Sequence, residues 1–320
     1  MAVTIGFVGS GGIANAHMNV LQGMEDVKLT AFADPQIERA ENAAARFEGR
    51  AYSDYREMLE KEKLDAVYVC VPPYAHEEQE LIAARKGMHL FIEKPIALSM
   101  DKAQEIKKAI DTSGVVVCVG YHWRYTGTAQ RAKEILGDQP IGMVLGYWMG
   151  GMPGVSWWRV MNESGGQMVE QTTHIFDLAR YLAGDVVEVY AAYATRCLQD
   201  VPNFDVSDVG TATLKFANGA VGTISNTCIL GQGYTVGLHV AAKDLVLEVD
   251  GGGLKVIRPG RTEIIGNSVN AFQAENQAFV SAVRTGDASG IKSSYEDAMK
   301  TLALTLAANE SAKTGKPVKL

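Results

Sequence analysis

The side chains in this sequence best suited to moving protons are an amine and an imidazole. Lys94 stands in Glu93-Lys94-Pro95, directly after the apolar run Met88–Ile92. His174 stands in Gly165-Gly166-Gln-Met-Val-Glu170-Gln-Thr-Thr-His174-Ile-Phe-Asp177. Spacings of four and three put Glu170, His174 and Asp177 on one face if the segment is a helix. A helix that buries such a face does so for a reason. Three readings stand open: a structural polar cluster with Arg180, a metal site, or a general acid/base site. The metal reading lacks an H-E-x-x-H pattern or a nearby Cys, so no metal is expected.

The second chemical feature is a glycine-rich turn. Gly9-Ser10-Gly11-Gly12-Ile13-Ala14 fits G-x-G-x-x-A, with Gly9 for the tight turn, Gly11 for close approach of a diphosphate and Ala14 for helix-on-strand packing. It follows a strand, opens a helix, and precedes Asp34 by twenty residues counted from Ala14. That is the context of a dinucleotide site: the amides around Gly11, Gly12 and Ile13 face the diphosphate, and Asp34 accepts ribose hydroxyls. A carboxylate there repels a 2′-phosphate, which favours NAD. Arg39, about one helical turn further on, could meet that phosphate and keeps NADP open. Asp34-Pro35 also has a plainer reading as a turn and helix cap. In an open parallel sheet ligands sit outside the carboxyl ends of the strands, so Lys94 points at the cofactor crevice. An amine beside a positively charged nicotinamide gives up its proton more readily, whereas any lysine after a strand can equally be a solvated surface residue.

These residues need a scaffold, and the first 120 residues read as one. Val3–Val8, Val27–Ala33, Asp65–Val71, Met88–Ile92 and Val115–Val119 are short apolar strands. Helices separate them, one from about Gly12, one over Gln36–Phe47, one stopped by Gly87, and one capped by Ser99 and ended near Gly114. This alternation predicts an α/β Rossmann domain with a doubly wound parallel sheet over residues 1–120. Residues 121–320 read as an α+β domain with an open, largely antiparallel sheet. Its strands are Val186–Thr195, Val209–Phe216, Ala220–Thr227, Tyr234–Ala241, Asp244–Val249 and Leu254–Arg258, with helices near Glu170–Leu182, Ala271–Thr285 and Tyr295–Ala312. Asn218-Gly219 marks a two-residue hairpin. Pairing outward from it puts Phe216, Leu214 and Ala212 opposite Val221, Thr223 and Ser225, and leaves Lys215 as the sole charge on either face. One face can then pack on helices, and the other can meet a second subunit or be covered by the chain's own loops.

Composition excludes other classes. Hydrophobic residues make up 47% of the 320 and charged residues 21%, enough apolar side chain to order the chain. The net charge of −7 and the absence of any Lys/Arg run beyond Lys107-Lys108 argue against nucleic acid. Four scattered cysteines without a C-x-x-C pair fit a reducing cytoplasm. The charge-free stretches up to Met24 and from Gln139 to Trp158 are broken by glycines, prolines or polar residues, so no membrane partner is expected.

The residues Gly9-x-Gly-Gly-Ile-Ala14, Glu93-Lys94-Pro95, Gly120-Tyr-His-Trp-Arg124 and Gly165-Gly-x5-Thr-x-His174-x2-Asp177 resemble the glucose–fructose oxidoreductase / inositol 2-dehydrogenase (Gfo/Idh/MocA) family. The resemblance runs to the closing Ser311-Ala-x-x-Gly-x-Pro-Val318. It implies hydride transfer between a nicotinamide and a CH–OH carbon of a sugar, an inositol-like polyol or a sugar derivative. It also implies a homodimer or homotetramer built through the C-terminal sheet. By position, Lys94 would touch both substrate hydroxyl and nicotinamide ribose, and His174 would be the general acid/base. The family commonly has Asp four residues before this His; Glu170 keeps the charge, moved by one methylene, as catalytic residue or substrate ligand. Pro72, Tyr74 and His76 match the loop bordering the nicotinamide, although His76 reads equally as a helix N-terminal residue. Trp157, Trp158 and Arg159 could hold a sugar's C–H face and its polar groups, or simply pack a loop. Arg124 is the best further candidate for substrate contact. Two other activities fit the same fold: an NAD-dependent glycoside hydrolase and a non-catalytic nicotinamide sensor. Retained Lys94 and His174 favour an enzyme.

Overall fold

A computed structural model describes residues 2–320. The chain up to His122, joined by Asn270–Ala298, forms one compact unit; Trp123–Val269 and Met299–Leu320 form the other. The first unit therefore recruits a late helix that a division at residue 120 assigns to the second.

In chain order the first unit begins β1 (Val3–Val8), α1 (Gly12–Leu21), β2 (Val27–Ala33), α2 (Ile37–Phe47), β3 (Arg50–Tyr52) and α3 (Tyr55–Lys61). It continues β4 (Ala66–Val69), α4 (Gln79–Arg85), β5 (His89–Ile92), α5 (Met100–Ser113) and β6 (Val117–Val119). The six strands are parallel in the order β3-β2-β1-β4-β5-β6, the doubly wound arrangement with its switch point between β1 and β4. Helices cover both faces, which is why the strands read as continuous apolar runs rather than alternating ones. An aromatic column fills the core: Phe7 stacks on Tyr68 with ring centroids 4.9 Å apart, Tyr68 on Phe91 at 4.6 Å, and Phe279 meets both edge-on.

The second unit runs through α6 (Gly127–Leu136), β7 (Ile141–Met149), α7 (Met161–Ser164), α8 (Gln167–Glu170) and α9 (Thr173–Ala183). Strands β8 (Val186–Ala194), β9 (Val209–Phe216), β10 (Val221–Thr227), β11 (Thr235–Ala242), β12 (Leu245–Asp250), β13 (Gly253–Arg258) and β14 (Arg261–Gly266) follow. Then come α10 (Ala271–Thr285), which belongs to the first unit, α11 (Tyr295–Thr314) and the short β15 (Val318–Lys319). The nine strands lie in the order β14-β13-β12-β11-β7-β10-β9-β8-β15, and only β7 and β10 pair in parallel. The expected antiparallel sheet is therefore present, with β7, which was not among the expected strands, added at its centre.

The β9–β10 hairpin corrects the expected register by one residue. Its loop holds three residues, Ala217-Asn218-Gly219, with Gly219 at φ +90°, so Leu214 pairs with Gly222 and Ala212 with Ile224. A one-residue slip exchanges faces. Ala212, Leu214, Phe216 and Ile224 are buried beneath helices, while Thr211, Thr213, Lys215, Val221 and Ser225 are exposed. Met143, Leu145 and Tyr190 share that open face. Among the described residues no helix is long and apolar enough to cross a membrane.

Candidate active site

The parallel sheet delivers the first set of residues to one edge. The backbone ladder continues just past the strands: Gly9 N–H donates to Ala33, Cys70 N–H to Val8, Glu93 N–H to Val69 and Gly120 N–H to Ile92. Gly9 sits at φ +88°, and a Cβ there would lie 2.4 Å from the Cys70 carbonyl oxygen. No other residue type fits that turn. Around Gly11 and Gly12, by contrast, nothing lies within 4 Å of a built Cβ, and α1 starts at Gly11 without a side-chain cap. The protein's own packing does not require glycine at these two positions; the open space and uncapped amides suit a diphosphate drawn in against the backbone. Ile13 is exposed beside them. Asp34 is buried at the end of β2, with Oδ2 accepting from Ser10 N–H at 2.9 Å and Oδ1 from Gln36 N–H at 2.9 Å. The carboxylate is thus tied both to the glycine loop and to the turn that leads into α2. Arg39 is exposed on the first turn of α2.

Pro72 opens the loop after β4, where Tyr74 is exposed. His76 turns inward: it is buried, and its Nδ1 pairs with Glu80 one turn along. His76 thus closes the turn Pro73–Ala75, three residues before α4. Lys94 follows β5, half-buried, and the Lys94–Pro95 peptide is cis. Its backbone N–H donates to Glu93 Oε2 at 3.1 Å. Glu93 is buried and pairs through Oε1 with His17 Nε2 at 2.9 Å. Asn276 on α10 meets the other nitrogen of His17 and accepts from the Tyr68 hydroxyl at 2.8 Å. Burial pushes the Glu93 carboxyl up, but the His17 bond and the nearby His17, Lys94 and His122 outweigh it and hold it below its ordinary value. His122 is driven down to about 4 by burial, against the pull of Glu93, and stacks on Phe272 at 4.7 Å.

In the second unit, Glu170 and His174 do not share a helix. The segment bends between α8 and α9: Thr172 N–H reaches back to Gln167, five residues, and Ile175 N–H only to Thr172. Asn226 Nδ2 holds the bend by donating to Thr172 Oγ1 at 2.9 Å. The expected continuous helix over Glu170–Leu182 is corrected accordingly. Glu170 ends α8 half-buried and accepts from Trp158 Nε1 at 2.7 Å. His174 lies in the first turn of α9, its ring stacked on Trp148 with centroids 6.0 Å apart.

The other expected substrate contacts lie in the second unit. Arg124 is buried and donates bidentately to Asp177, Nε to Oδ2 at 2.7 Å and Nη2 to Oδ1 at 2.6 Å, under Tyr181. Its guanidinium completes a buried charge pair. His174 and Asp177 do share α9, three residues apart, and the Asp177 carboxylate is engaged by Arg124 and by Thr301. Trp158 is fully buried with Val206 and Cys228, so its ring packs the loop and bears on the site only through Glu170; Trp157 and Arg159 are half-buried beside it. Sequence reasoning missed His17, Glu275, Asn276 and Asp208. Glu275 and Asn276 interrupt the apolar face set by Phe272, Phe279 and Val280, and that interruption was the available clue. Asp208 anchors the Cys197 loop by accepting three successive amides, those of Arg196, Cys197 and Leu198, at 2.6–2.9 Å.

A glycine turn with open space and uncapped amides, and a Glu-Lys pair at the same sheet edge, fit a nucleotide-dependent oxidoreductase. Comparison with known proteins agrees. Residues 3–121 match the profile of the oxidoreductase family with an NAD-binding Rossmann fold, and residues 129–252 that of the GFO/IDH/MocA C-terminal domain. The chain is 28% identical to the myo-inositol 2-dehydrogenase of Thermotoga maritima over 74% of its own length and 72% of the relative's. It is 26% identical to the inositol 2-dehydrogenase of Rhizobium meliloti over 97% of each. A solved WlbA dehydrogenase from Bordetella pertussis, in complex with NADH and UDP-GlcNAcA, superposes with a TM-score of 0.87 at 25% identity, covering 100% of this chain and 99% of that one. This chain belongs to the Gfo/Idh/MocA family and is an NAD-binding oxidoreductase.

Proposed function

We propose that the protein oxidises or reduces a CH–OH carbon of a sugar, polyol or sugar derivative. The observation that carries this reading is the shared sheet edge, where the Gly9–Ile13 cradle, Asp34 and Glu93-Lys94 leave the carboxyl ends of the parallel strands β1, β2 and β5. Inositol and WlbA dehydrogenases among its relatives support the substrate class. When bound, NAD supplies the hydride acceptor or donor. The glycine turn and the α1 amides hold its diphosphate, and Asp34 accepts its ribose hydroxyls and disfavours a 2′-phosphate. Lys94 hydrogen-bonds the reacting hydroxyl and orients it. His174 takes the hydroxyl proton through an imidazole nitrogen during oxidation and returns it during reduction. Glu170, tethered by Trp158, orients a neighbouring hydroxyl.

The open face of the second sheet supports a homo-oligomer, since Met143, Leu145, Tyr190 and Val221 form an apolar patch there, flanked by the Lys215–Glu188 and Lys255–Glu248 pairs. We place the protein in the cytoplasm on its four free cysteines. The test is a panel of inositols, aldoses, sugar acids and anhydrosugars with NAD and NADP separately, following reduced nicotinamide by absorbance. Turnover of at least one polyol or sugar with NAD is expected. A panel without turnover, under conditions where NAD binding is demonstrated, refutes the reading.

A further inference from the structure

Beneath the Glu93-Lys94 pair, the first unit buries a second carboxylate. Glu275 on α10 is fully buried, and neither of its carboxyl oxygens has a hydrogen-bond partner among the described residues. His17, Glu93 and Glu275 each bring one nitrogen or oxygen to within 4.8 Å of the others. Two carboxyl groups that close and out of water cannot both ionise. Glu93 has the stronger claim to the charge, because His17 and the Lys94 amide are already aimed at it. Glu275 has neither. The groups around the pair are Tyr68 on β4, Cys70 just beyond it, Cys118 on β6, Asn276 beside Glu275, and Lys94 and His122 on the Glu93 side. A built Cβ at Gly120 would lie 2.5 Å from Glu93 Oε1, so the chain also keeps this position bare to admit the carboxylate.

We propose that the Glu93–Glu275 pair carries one proton between its two carboxyl groups, held on Glu275 as a neutral carboxylic acid, and that Glu275 is a positioning residue. Its neutrality leaves Glu93 as the single anion to which His17 and the Lys94 backbone are pinned. Burial, and then the proximity of Glu93, push the Glu275 carboxyl well above its ordinary range, in keeping with this geometry. The inference rests on Lys94 having the role assigned above, but its decisive measurements need no substrate or cofactor.

The variant is Glu275→Gln, which keeps the shape of the acid without a titrating proton. Urea unfolding of the full chain without cofactor is compared with wild type across about pH 5–8. In wild type the unfolded chain releases a proton that the folded chain keeps. Stability of wild type relative to the variant therefore falls as pH rises above the ordinary glutamate value. The ratio of their unfolding constants should change by about tenfold per pH unit until the folded-state value is reached. Infrared spectra should show a carboxylic-acid carbonyl band at neutral pH that the variant lacks. With NAD and an accepted substrate, Glu275→Gln should keep its rate and pH profile within about twofold, while Glu275→Ala loses about tenfold or more in kcat at little-changed KM. Parallel stability curves and no acid band overturn the shared proton. So does a stoichiometric divalent metal in wild type that Glu275→Gln lacks. Glu275→Ala turning over like wild type overturns the positioning role; if that variant does not fold, Glu275→Gln alone decides. A wild-type protein that turns over no sugar or polyol overturns the functional reading and leaves the proton measurement standing.

Discussion

Replacing Asp177 by Ala separates a structural from a substrate-binding Arg124. Arg124 is buried and gives Asp177 two hydrogen bonds of 2.6 and 2.7 Å; Thr301 Oγ1 donates to the same carboxylate at 2.9 Å and accepts from Arg180 at 2.7 Å. Removing one partner of such a pair strands a charge away from water and costs about 3–5 kcal/mol. The loss of the Thr301 contact places this case at the upper end. Total stability of a folded domain is about 5–15 kcal/mol, so a third or more of it should vanish. Equilibrium urea unfolding followed by tryptophan fluorescence measures the loss. Substituting both partners, Arg124→Met with Asp177→Leu, removes both charges and should recover most of it. If Asp177→Ala unfolds within about 1 kcal/mol of wild type while catalytic efficiency collapses, Arg124 serves the substrate and the structural reasoning is wrong.

Lys94→Ala and His174→Ala should each fold normally and lose about 10²–10⁴-fold in kcat/KM, measured with an accepted substrate from the panel. Asp34→Gly removes a carboxylate that repels a 2′-phosphate, so the NADP-to-NAD efficiency ratio should rise about tenfold to a hundredfold in steady-state assays. Gly120→Ala pushes a methyl group against the buried Glu93 carboxylate and should cost about 1–3 kcal/mol by urea unfolding. His122 stays neutral in the folded chain down to about 4, whereas the unfolded chain protonates it near 6.5. Wild type should therefore lose about 1.4 kcal/mol per pH unit relative to His122→Phe as pH falls between those values, checked by urea unfolding at stepped pH.

The first unit was legible because each of its devices is local. A β-branched run, a glycine turn and an acidic residue twenty positions on are all read within one βαβ stretch, and the structure joins them through the Asp34–Ser10 bond. The second unit was less legible where distant packing sets the local choice. β7 carries Gly142 and Gly146, which read as breaks in a strand. Gly146 is instead the place where the side chains of Ile175, Ile224 and Leu238 close over the sheet, 2.6–3.1 Å from where a Cβ would stand. The bend between Glu170 and His174 contains no glycine or proline. It is fixed by Asn226 from a strand some fifty residues later, which helical periodicity has no means of registering. The hairpin slipped by one for a milder reason: Asn-Gly signals a turn but not whether that turn holds two residues or three.

Ionisable residues on apolar faces were visible in the sequence, but their roles depend on how many donors the fold aims at each. Asp177 meets a bidentate guanidinium and a hydroxyl, and Asp208 meets three consecutive amides; both are bound into structure. Asp34 accepts one amide on each oxygen, which orients it and leaves lone pairs open to the ribose hydroxyls proposed above, since each carboxylate oxygen can accept twice. Glu93 accepts from a side chain and from the amide of the residue it serves, and so converts a buried charge into a fixed position for Lys94. Glu275 receives no donor among the described residues, and burial without a donor is what a carboxyl group tolerates by keeping its proton. One functional group, the carboxyl, thus spans structure, recognition, positioning and proton storage within a single chain. The count of donors aimed at each carboxyl separates these uses, and a sequence read without its fold contains no such count.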